Sequence, residues 1–564
     1  MPGRNEITGP SAGRSKDRNN NMKRFIENPV DKTYDLVIIG GGITGSAVAY
    51  EAATRGLSVA LVEKGDFGGA TSAATSKMIH GGLRYLANGE FGVVRESLRE
   101  RRIMENIAPN FVYPLPFLVP LYKGVKNVKR IMQIGMILYD LLSYDKGFTW
   151  DKAKKLPSHR ILSVEDTLAL EKVVNPDGLV GGIAFNDCEN IIPERLTLAF
   201  IKSAVRHGAD VSNYAKVEDF LREPGKIQGV VVRDLLSNMT VKLHGRITIN
   251  CGGPWADLIL DVASGKQAPQ HVRRSEGIHI VTRRLVDKYV VGVLTPSGQR
   301  CNIMPWRGHS LIGTTDKEYK GNPDDYRVTR ESIEEFISEV NGGFGQPGLV
   351  KYPDITYVYG GLRPLIEDQT KDIYKTSRRY EIYDNEKDGL AGLISVEGGK
   401  YTTSRGLAEN VLRAVMKKFD RPYKKSVTAK QYLAGCEIKD INAFVASCKA
   451  ANSDFAESTV DYLARIYGTE FNNVMKIARG DKKYAAALNA DGEMPAQVIY
   501  AIKDEMACTL TDILLRRTGI GTLGNPGQGV LETIAEMASR ELKWSAARID
   551  NELEKAVKAL SLPD

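Results

Sequence analysis

The stretch YDLVII at Tyr34–Ile39, followed by GGGITG at Gly40–Gly45, decides the fold of this 564-residue chain. The apolar run predicts a buried parallel strand, and the glycine turn leads into a helix that extends to about Ala53. Gly56 ends that helix, and LSVALVE forms a second strand that finishes at Glu63. The folded part of the chain therefore begins with a strand-helix-strand unit.

The glycines of this turn suit a GxGxxG dinucleotide-binding motif. Gly40 permits the tight turn, Gly42 lets a pyrophosphate approach the backbone, and Gly45 allows the helix to pack closely on the strand. Glu63 can accept hydrogen bonds from ribose hydroxyls, which argues against NADP but leaves NAD and FAD open. The alternative is a glycine turn that binds nothing. The predicted cofactor contacts of this unit are Gly40, Gly42, Ile43, Thr44, Gly45, Glu63 and Lys64.

The composition indicates a globular protein of two or three domains, with 42% hydrophobic and 26% charged residues. A net charge of +8 suits an anionic substrate or membrane surface, and no basic stripe interleaved with aromatics indicates nucleic acid. The six cysteines have no metal-ligand spacing, so free thiols and no metal are expected. Residues 1–32 are polar and lack a signal-peptide pattern, so they are expected to be a disordered leader.

Later segments continue the alternation of strands and helices. PERLTLAFIKSAVRHG predicts a helix, IQGVVVRDLL and MTVKLHG predict short β runs, and ITINC predicts a returning strand. Residues from about 267 to 357 are β-rich, with a helical insert RESIEEFISEVNGG. After Phe419 the patterns are amphipathic and helical, and AQVIYAIKDEMACTLTDILLRRT is interpreted as one of them.

A second motif, GGATSAATSKMIHGGLRY at residues 68–85, follows the first unit. Its hydroxyl side chains and its His-Gly-Gly turn could line an extended phosphate and isoalloxazine channel, and a flexible surface loop is the alternative. The predicted cofactor contacts of this motif are Thr71, Ser72, Ser76, His80, Gly81 and Gly82, with Thr75 as a further hydroxyl.

The run GGGITGSAVAYEAATRGLSVALVEKGDFGGATSAATSKMIHGGLRYL resembles the N-terminal signature of FAD-dependent glycerol-3-phosphate dehydrogenases, in the D-amino acid oxidase-like flavoprotein superfamily. NCGGPWADL, EGIHIV, LIGTTDKEYKG, GGLRPL, SVEGGKYTTSRGLAE and DEMACTLTDILLRRT resemble further motifs of that family, in the same order. The resemblance spans about Tyr34 to Leu560. It implies FAD as cofactor and oxidation of sn-glycerol 3-phosphate to dihydroxyacetone phosphate by hydride transfer to flavin, with electrons passed to a quinone.

The resemblance also implies the domain organisation. We expect an α/β fold in which a Rossmann-like FAD-binding domain is interleaved with a β-rich substrate domain and followed by an all-α C-terminal domain. The FAD-dependent oxidoreductase domain is expected at 33–425, with FAD-binding parts at about 33–130, 190–262 and 359–425 and a substrate-binding part at about 263–358. The helical domain is expected at 426–564.

Oxidation of a phosphorylated secondary alcohol needs cations for the phosphate and a base for the hydroxyl proton. Arg84 in GGLRY and Arg363 in GGLRPL are the candidate cations, although either alone could be a surface arginine. The resemblance implies a substrate-site histidine at His279, which is our preferred base, although a lone histidine in a β run is often a core residue. Tyr85 and Thr402 are secondary hydrogen-bonding candidates.

Gly399 and Lys400 open a helix where positive charge would stabilise a reduced flavin, and Lys400 could instead contact the substrate. The predicted catalytic set is His279, Arg363 and Lys400, with Thr402 and Gly253 as further cofactor contacts.

Two positions depart from the family pattern. Glu276 stands where related sequences commonly have Lys, which is expected to remove a cation near the substrate site, and Glu194 stands where they often have Asp.

The stretch KGVKNVKRIMQIGMILYDLLSY places Lys123, Lys126, Lys129 and Arg130 before an apolar helical run. This order suits a helix in the interface of an anionic membrane and would provide a route to a lipid-soluble quinone, and a core-packed helix is the alternative. No run of ~18 apolar residues predicts a transmembrane helix. We therefore expect a cytoplasmic protein bound peripherally to the inner face of the membrane, in a form compatible with a homodimer.

Three alternatives remain open. In an oxidase that uses oxygen, an extra segment is expected before the flavin-facing C-terminal motif, whereas only residues 364–399 separate Arg363 from Lys400 here. An amino-acid or amine oxidase of the same superfamily would need fewer cations. The third is a nucleotide-binding scaffold whose basic surface engages nucleic acid without turnover, and a bright yellow colour of the purified protein would distinguish the flavoenzyme from it.

Overall fold

The computed structural model describes residues 22–124, 128–267, 272–366, 380–419, 422 and 424–564. The strands are β1 Thr33–Ile39, β2 Val59–Val62, β3 Met78–Ile79, β4 Val112–Tyr122, β5 Arg160–Leu162, β6 Leu179–Asn190, β7 Asp210–Ser212, β8 Ala215–Glu223, β9 Lys226–Asp234, β10 Thr240–Asn250, β11 Val272–Thr282, β12 Val290–Leu294, β13 Arg300–Trp306, β14 His309–Gly313, β15 Lys317–Tyr319, β16 Ile355–Ile366, β17 Tyr380–Asp384 and β18 Leu393–Gly398.

The helices alternate with these strands as far as α9 and then continue alone. They are α1 Ile43–Thr54, α2 Leu83–Ala87, α3 Phe91–Ile107, α4 Val128–Leu142, α5 Val164–Leu170, α6 Pro193–Arg206, α7 Ala256–Ser264, α8 Arg330–Phe344, α9 Ser404–Lys418, α10 Ile441–Ala451, α11 Glu457–Tyr467, α12 Phe471–Gly480, α13 Pro495–Glu505, α14 Leu510–Asp512, α15 Gln528–Leu542 and α16 Ala546–Leu560. None of the described helices is both long and apolar enough to cross a lipid bilayer.

The first sheet has the strand order β17-β18-β10-β1-β2-β7, and β9 and β8 continue from β10. β18, β10, β1, β2 and β7 run parallel, as in a Rossmann-like domain. Both faces of β1 are buried: Leu36 and Ile38 contribute to one core with α1, α6 and α9, while Val37 and Ile39 contribute to another with α7 and the β8–β9 hairpin. This explains why β1 is a continuous apolar run.

The interpretation of MTVKLHG and ITINC as two separate β elements was wrong, because they form the single strand β10. Its first half, from Thr240 to His244, pairs with β9, and its second half pairs with β1 and β18. One strand therefore belongs to both the meander and the parallel sheet.

The second sheet has the order β15-β11-β14-β13-β12-β4-β6-β3. Two more strands lie off this path: β16 pairs with β11, and β5 pairs with β6. β3 and β4, which fall within the expected FAD-binding range of about 33–130, belong to this second sheet. β4 pairs with β6 along its whole length, from Val112 to Tyr122, and also with β12. The second sheet is built from residues 78–190 as well as from 272–366.

Residues 424–564 form helices and connecting loops and contain no strand, which confirms the predicted all-α domain. The stretch interpreted as one amphipathic helix is broken, because α13 ends at Glu505 and Met506 adopts a left-handed conformation with φ 62°. Thr509 caps α14 with its side chain, and one π-helical turn, Ile513–Arg517, follows. Arg195 on α6 donates two hydrogen bonds, of 2.8 and 2.9 Å, to the carboxylate of Glu505. These bonds connect the helical domain to α6, which packs on the first sheet.

The last part of the predicted disordered leader is ordered. Met22 is buried and its amide donates to the carbonyl of Asp504, while Arg24 pairs with buried Asp234 and donates to the carbonyl of Asn213. Residues 22–32 are therefore part of the fold. The rest of the predicted leader, residues 1–21, lies outside the described residues, as does Lys126.

Candidate active site

A continuous cavity of ≈ 1400 Å³ is lined by residues from both sheets and from the helical domain. Its volume exceeds the ~300–1,000 Å³ of ordinary small-molecule pockets. The wall includes the glycine turn after β1, most of the loop before β3, the start of α2 and the turn before α9. A cavity of this size can hold a dinucleotide together with a second, smaller ligand.

The glycine turn has the geometry that a dinucleotide requires. Gly40 has φ +106°, and a Cβ there would lie 2.5 Å from the carbonyl oxygen of Cys251. A Cβ on Gly45 would lie 1.9 Å from the carbonyl oxygen of Gly40, so only glycine allows the helix to approach the turn. Gly42 precedes α1 and lines the cavity with Ile43 and Thr44. The N-terminus of α1 therefore faces the cavity, where it favours an anion.

Glu63 lies at the end of β2 and lines the same cavity. Its two carboxylate oxygens accept hydrogen bonds from the amides of Gly41 at 2.7 Å and Gly65 at 2.8 Å. Burial raises the pKa of Glu63, while these amide donors oppose that shift. Because a carboxylate has about four acceptor sites, Glu63 can still accept from ribose hydroxyls. Lys64, also on the cavity wall, pairs with Asp324.

The hydroxyl side chains of the loop before β3 make two kinds of contact, some with the backbone and one with His279. Ser72 accepts a hydrogen bond from the amide of Ile43 at 2.9 Å and so connects the loop to the start of α1. Thr71 donates to the carbonyl of Leu362 at 2.6 Å. Ser76, which we predicted as a cofactor contact, lies 2.8 Å from Nε2 of His279. Ser76 therefore belongs to the surroundings of the histidine, although it also lines the cavity.

His279 lies on β11, is buried, and lines the cavity. Its ring stacks on that of Tyr359, with centroids 5.0 Å apart and planes at 13°. Burial, and then the positive charges of Arg363 and Lys77, hold the pKa of His279 well below its usual range. The imidazole is therefore neutral near pH 7 and has one ring nitrogen able to accept a proton. Nδ1 has no hydrogen-bond partner among the described residues.

Arg363 lies on β16, opposite Ser275 of β11, and lines the cavity. Its guanidinium donates to the carbonyl of Thr315 at 2.9 Å, to the carbonyl of Glu276 at 3.2 Å and to the hydroxyl of Thr314 at 2.5 Å. A Cβ on Gly277 would lie 1.9 Å from Arg363 Nη2. Backbone acceptors thus fix this cation close to His279.

Glu276, which stands where related sequences commonly have Lys, lies three residues before His279 on β11. Side chains alternate between the two faces of β11, so Glu276 and His279 point to opposite faces. Glu276 lines a small cavity of ≈ 160 Å³ with Lys317 and Glu335, and its backbone carbonyl accepts from Arg363. Burial raises the pKa of the Glu276 carboxyl, while the charges of Lys317 and Arg363 oppose that shift. Glu194, the other departure, pairs with buried Lys77 at 3.4 Å.

A second cationic group forms around Tyr85. Arg84 lies over the Tyr85 ring at 5.1 Å and Lys400 lies over it at 4.7 Å, and all three residues line the cavity. The ammonium of Lys400 donates to the hydroxyl of Ser97 at 2.6 Å. Thr402, on the turn that follows Lys400, is buried and also lines the cavity. The structure therefore brings the predicted substrate residues to one space.

The remaining predicted cofactor residues differ in position. His80, Gly82, Gly253 and Gly399 line the cavity, whereas Gly81 does not. A Cβ on Gly81 would lie 2.3 Å from Leu98 and from the Tyr139 hydroxyl, so packing requires this glycine. Burial lowers the pKa of His80, and the nearby cations Lys400 and Arg84 lower it further against the opposing effect of Asp187.

Sequence reasoning missed several residues that shape the cavity. Tyr359 supports the imidazole, Ser97 holds Lys400, and Asp187 lines the cavity while accepting from Tyr139 at 2.7 Å. Arg516 reaches the cavity wall from the helical domain. Arg516 lies in the family-like motif DEMACTLTDILLRRT, but the sequence did not indicate its place at the cavity, because its partner Asp66 is distant in sequence.

These features fit FAD. The glycine cradle and the N-terminus of α1 suit a diphosphate, Glu63 suits a ribose, and Lys400 suits the electron-rich end of a flavin. The residues that would hold the cofactor are Gly40, Gly42, Ile43, Thr44, Glu63, Thr71, Ser72, Gly253, Gly399 and Lys400.

Comparison with known proteins gives the same assignment. Residues 35–411 match the family model of FAD dependent oxidoreductases, and residues 426–549 match the C-terminal domain of alpha-glycerophosphate oxidase. A glycerol-3-phosphate dehydrogenase from Synechocystis is 33% identical over 95% of this chain and 97% of its own length. An aerobic glycerol-3-phosphate dehydrogenase from Bacillus subtilis is 33% identical over 88% of this chain and 89% of its own.

A solved structure agrees over nearly the whole chain. The glycerol-3-phosphate dehydrogenase from Bacillus halodurans, in complex with FAD, superposes with a TM-score of 0.74 and 27% identity, covering 94% of this chain and 95% of that one. The match includes the helical domain as well as both sheets. The chain therefore belongs to the family of FAD-dependent oxidoreductases, with the C-terminal domain of the alpha-glycerophosphate oxidase type.

Proposed function

We propose that this protein oxidises sn-glycerol 3-phosphate to dihydroxyacetone phosphate. When bound, FAD supplies the acceptor for the hydride that leaves C2 of the substrate. The observation that carries the proposal is a neutral, buried His279 beside Arg363 in a cavity that also contains Arg84 and Lys400. The substrate named for the curated relatives supports this choice.

The cations select a phosphorylated alcohol. Arg84 and Arg363 each present a guanidinium, whose planar donors match phosphate oxygens. Two charge-assisted contacts at roughly 1.5 kcal/mol or more each would favour the phosphate by at least ~100-fold in kcat/KM over free glycerol.

His279 receives the hydroxyl proton. The neutral ring can accept a proton, and the hydrogen bond to Ser76 together with the stacking on Tyr359 fixes its orientation. Arg363 disfavours the protonated ring, so the proton is released again after the ketone forms. Carbon oxidation and proton removal therefore use different groups of the site.

The test is the rate of reduction of an artificial electron acceptor with glycerol 3-phosphate, glycerol and an amino acid such as proline. We expect turnover only with the phosphorylated alcohol, and a fall of roughly 100- to 10,000-fold in kcat for His279→Asn with the flavin retained. Faster turnover of proline would assign the protein to the amino-acid oxidases of the superfamily instead.

We also propose that the electrons leave through a membrane quinone and that α4 docks on the membrane. α4 buries Met136 and Tyr139, yet exposes a second apolar stripe of Ile131, Ile134 and Leu141, which are 57%, 68% and 66% accessible. An apolar stripe facing water is unfavourable. A lipid interface would cover it.

Basic residues at the start of α4 support an anionic lipid surface as the partner. Arg130 is exposed, and Lys123 is exposed just before the helix. Apolar side chains with a cationic border suit a helix that lies in the headgroup region. The proposed localisation is therefore the inner face of the cytoplasmic membrane; homodimer formation stays a prediction.

Flotation with vesicles containing anionic lipid tests the docking surface. Ile134→Glu and Leu141→Glu should each weaken vesicle binding roughly tenfold, because each replaces an apolar side chain that would enter the lipid on docking. Leu236→Glu, at an exposed leucine between β9 and β10, is the matched control and should bind normally. Equal binding by all three variants would contradict the assignment of α4.

A further inference from the structure

Arg516 connects the helical domain to the cofactor cavity. It lies in the π-helical turn after α14, its side chain is 13% exposed, and it lines the cavity. Nε donates to Asp66 at 2.7 Å and Nη2 donates to Asp512. Nη1 makes no hydrogen bond with any residue that the structure describes, so one edge of the guanidinium is available to a ligand.

The neighbouring Arg517 also pairs with Asp66 but does not line the cavity. It is fully buried, donates to both carboxylate oxygens of Asp66 at 2.7 Å, and uses Nε to donate to the carbonyl of Glu505 at 2.9 Å. Burial alone would raise the pKa of Asp66, but Arg517 and then Arg516 lower it to about 2. Arg517 therefore anchors the loop, and Arg516 is left to face the cavity.

The anchored loop belongs to the dinucleotide site. The carbonyl of Asp66 accepts from the amide of Gly69 at 3.0 Å, and the amide of Gly68 donates to the carbonyl of Gly41 in the glycine turn at 3.0 Å. A Cβ on Gly69 would lie 3.7 Å from Nε of Arg516. The guanidinium is thus beside the loop that packs on the GxGxxG turn, where a diphosphate is expected.

We propose that Arg516 binds the diphosphate of FAD, so that the helical domain completes the cofactor site. A guanidinium has donors arranged to bind phosphate oxygens, and its pairing with Asp66 and Asp512 holds it in place at the cavity wall. This role goes beyond the proposed function, since it concerns retention of the cofactor and holds for any substrate. The same chemistry would suit the phosphate of the substrate, so the test must separate the two.

The experiment measures binding to the full-length apoprotein. FAD affinity is followed by the change in flavin fluorescence for the wild type, Arg516→Gln and Arg540→Gln. Loss of a charge-assisted contact should weaken FAD binding roughly 10- to 100-fold in Arg516→Gln. Arg540, an exposed arginine of the same domain that pairs with Glu536, is the matched control, and its variant should bind FAD normally.

Competition by ADP and by adenosine separates a direct contact from a distorted domain interface. Arg516→Gln should lose affinity for ADP by the same factor as for FAD, and keep its affinity for adenosine, which has no phosphate. Equal losses for ADP and adenosine, or unchanged FAD affinity, would overturn the proposal. A raised KM for glycerol 3-phosphate with unchanged FAD affinity would assign Arg516 to the substrate instead.

If Arg516→Gln does not fold, Arg516→Lys keeps the charge but loses the planar donor pair. We then expect an intermediate loss of FAD and ADP affinity, again without a change for adenosine, and a parallel loss of adenosine affinity would overturn the proposal. Failure of the proposed function has a different signature, because FAD would bind normally and glycerol 3-phosphate would not reduce it.

Discussion

Gly313→Ala is expected to lower kcat about 100-fold while the enzyme keeps its flavin. A Cβ at position 313 would lie 2.1 Å from Cδ2 of His279 and 2.7 Å from Nε2, whereas ordinary contact begins at 3.4 Å. The imidazole would have to move by about 1.3 Å, the difference between 3.4 and 2.1 Å. Since the ring is stacked on Tyr359, it cannot move without losing its present orientation. A displacement of this size in a reacting group costs roughly 100-fold.

The assay compares four proteins: the wild type, Gly313→Ala, His279→Ala and the double variant. In His279→Ala the imidazole is absent, so the added methyl at 313 has space and should cause little further loss of kcat. The two effects should therefore be strongly non-additive. The flavin-to-protein absorbance ratio should remain that of the wild type throughout. Independent, multiplying losses in the double variant would refute the placement of His279 as the group that Gly313 controls.

Three further outcomes are expected. Gly45→Ala should abolish flavin retention, seen in the absorbance of the purified protein, because its methyl would lie 1.9 Å from a carbonyl oxygen of the turn. Gly277→Ala should displace Arg363 and raise KM for glycerol 3-phosphate with the flavin retained. Arg195 and its neighbours hold the pKa of Glu505 at about 2, against 4.5 normally, although burial opposes this shift. Stability present above pH 4.5, roughly 3 kcal/mol, should therefore be lost as the pH falls toward 2, and acid unfolding of Glu505→Gln should lack this component.

The parts of the site that sequence predicts well are those set by local backbone geometry. The roles of Gly40 and Gly45 follow from the turn itself, and Glu63 follows from its position at the end of the next strand. Contacts between distant segments were not predictable in this way. Ser76 lies in a loop typical of cofactor binding, yet its partner, His279, is brought to it by β11 of the second sheet.

The same distinction explains the errors in the fold. β4 and β6 pair with each other in the second sheet, and local sequence patterns do not predict which strands pair. The helix break after Glu505 is not marked by a glycine or a proline. Met506 adopts its left-handed conformation where Glu505 is held by Arg195 and the carbonyl of Met506 accepts from Asn213. Tertiary contacts override helix propensity here.

The central claim is that a flavin and a phosphorylated alcohol meet in one cavity between His279, Arg363 and Lys400. Anaerobic rapid mixing of the purified protein with glycerol 3-phosphate, followed by flavin absorbance near ~450 nm, tests it most directly. We predict complete loss of the oxidised flavin band with glycerol 3-phosphate and no change with glycerol at the same concentration. A flavin that stays oxidised with glycerol 3-phosphate, or that an amino acid bleaches instead, would contradict the account.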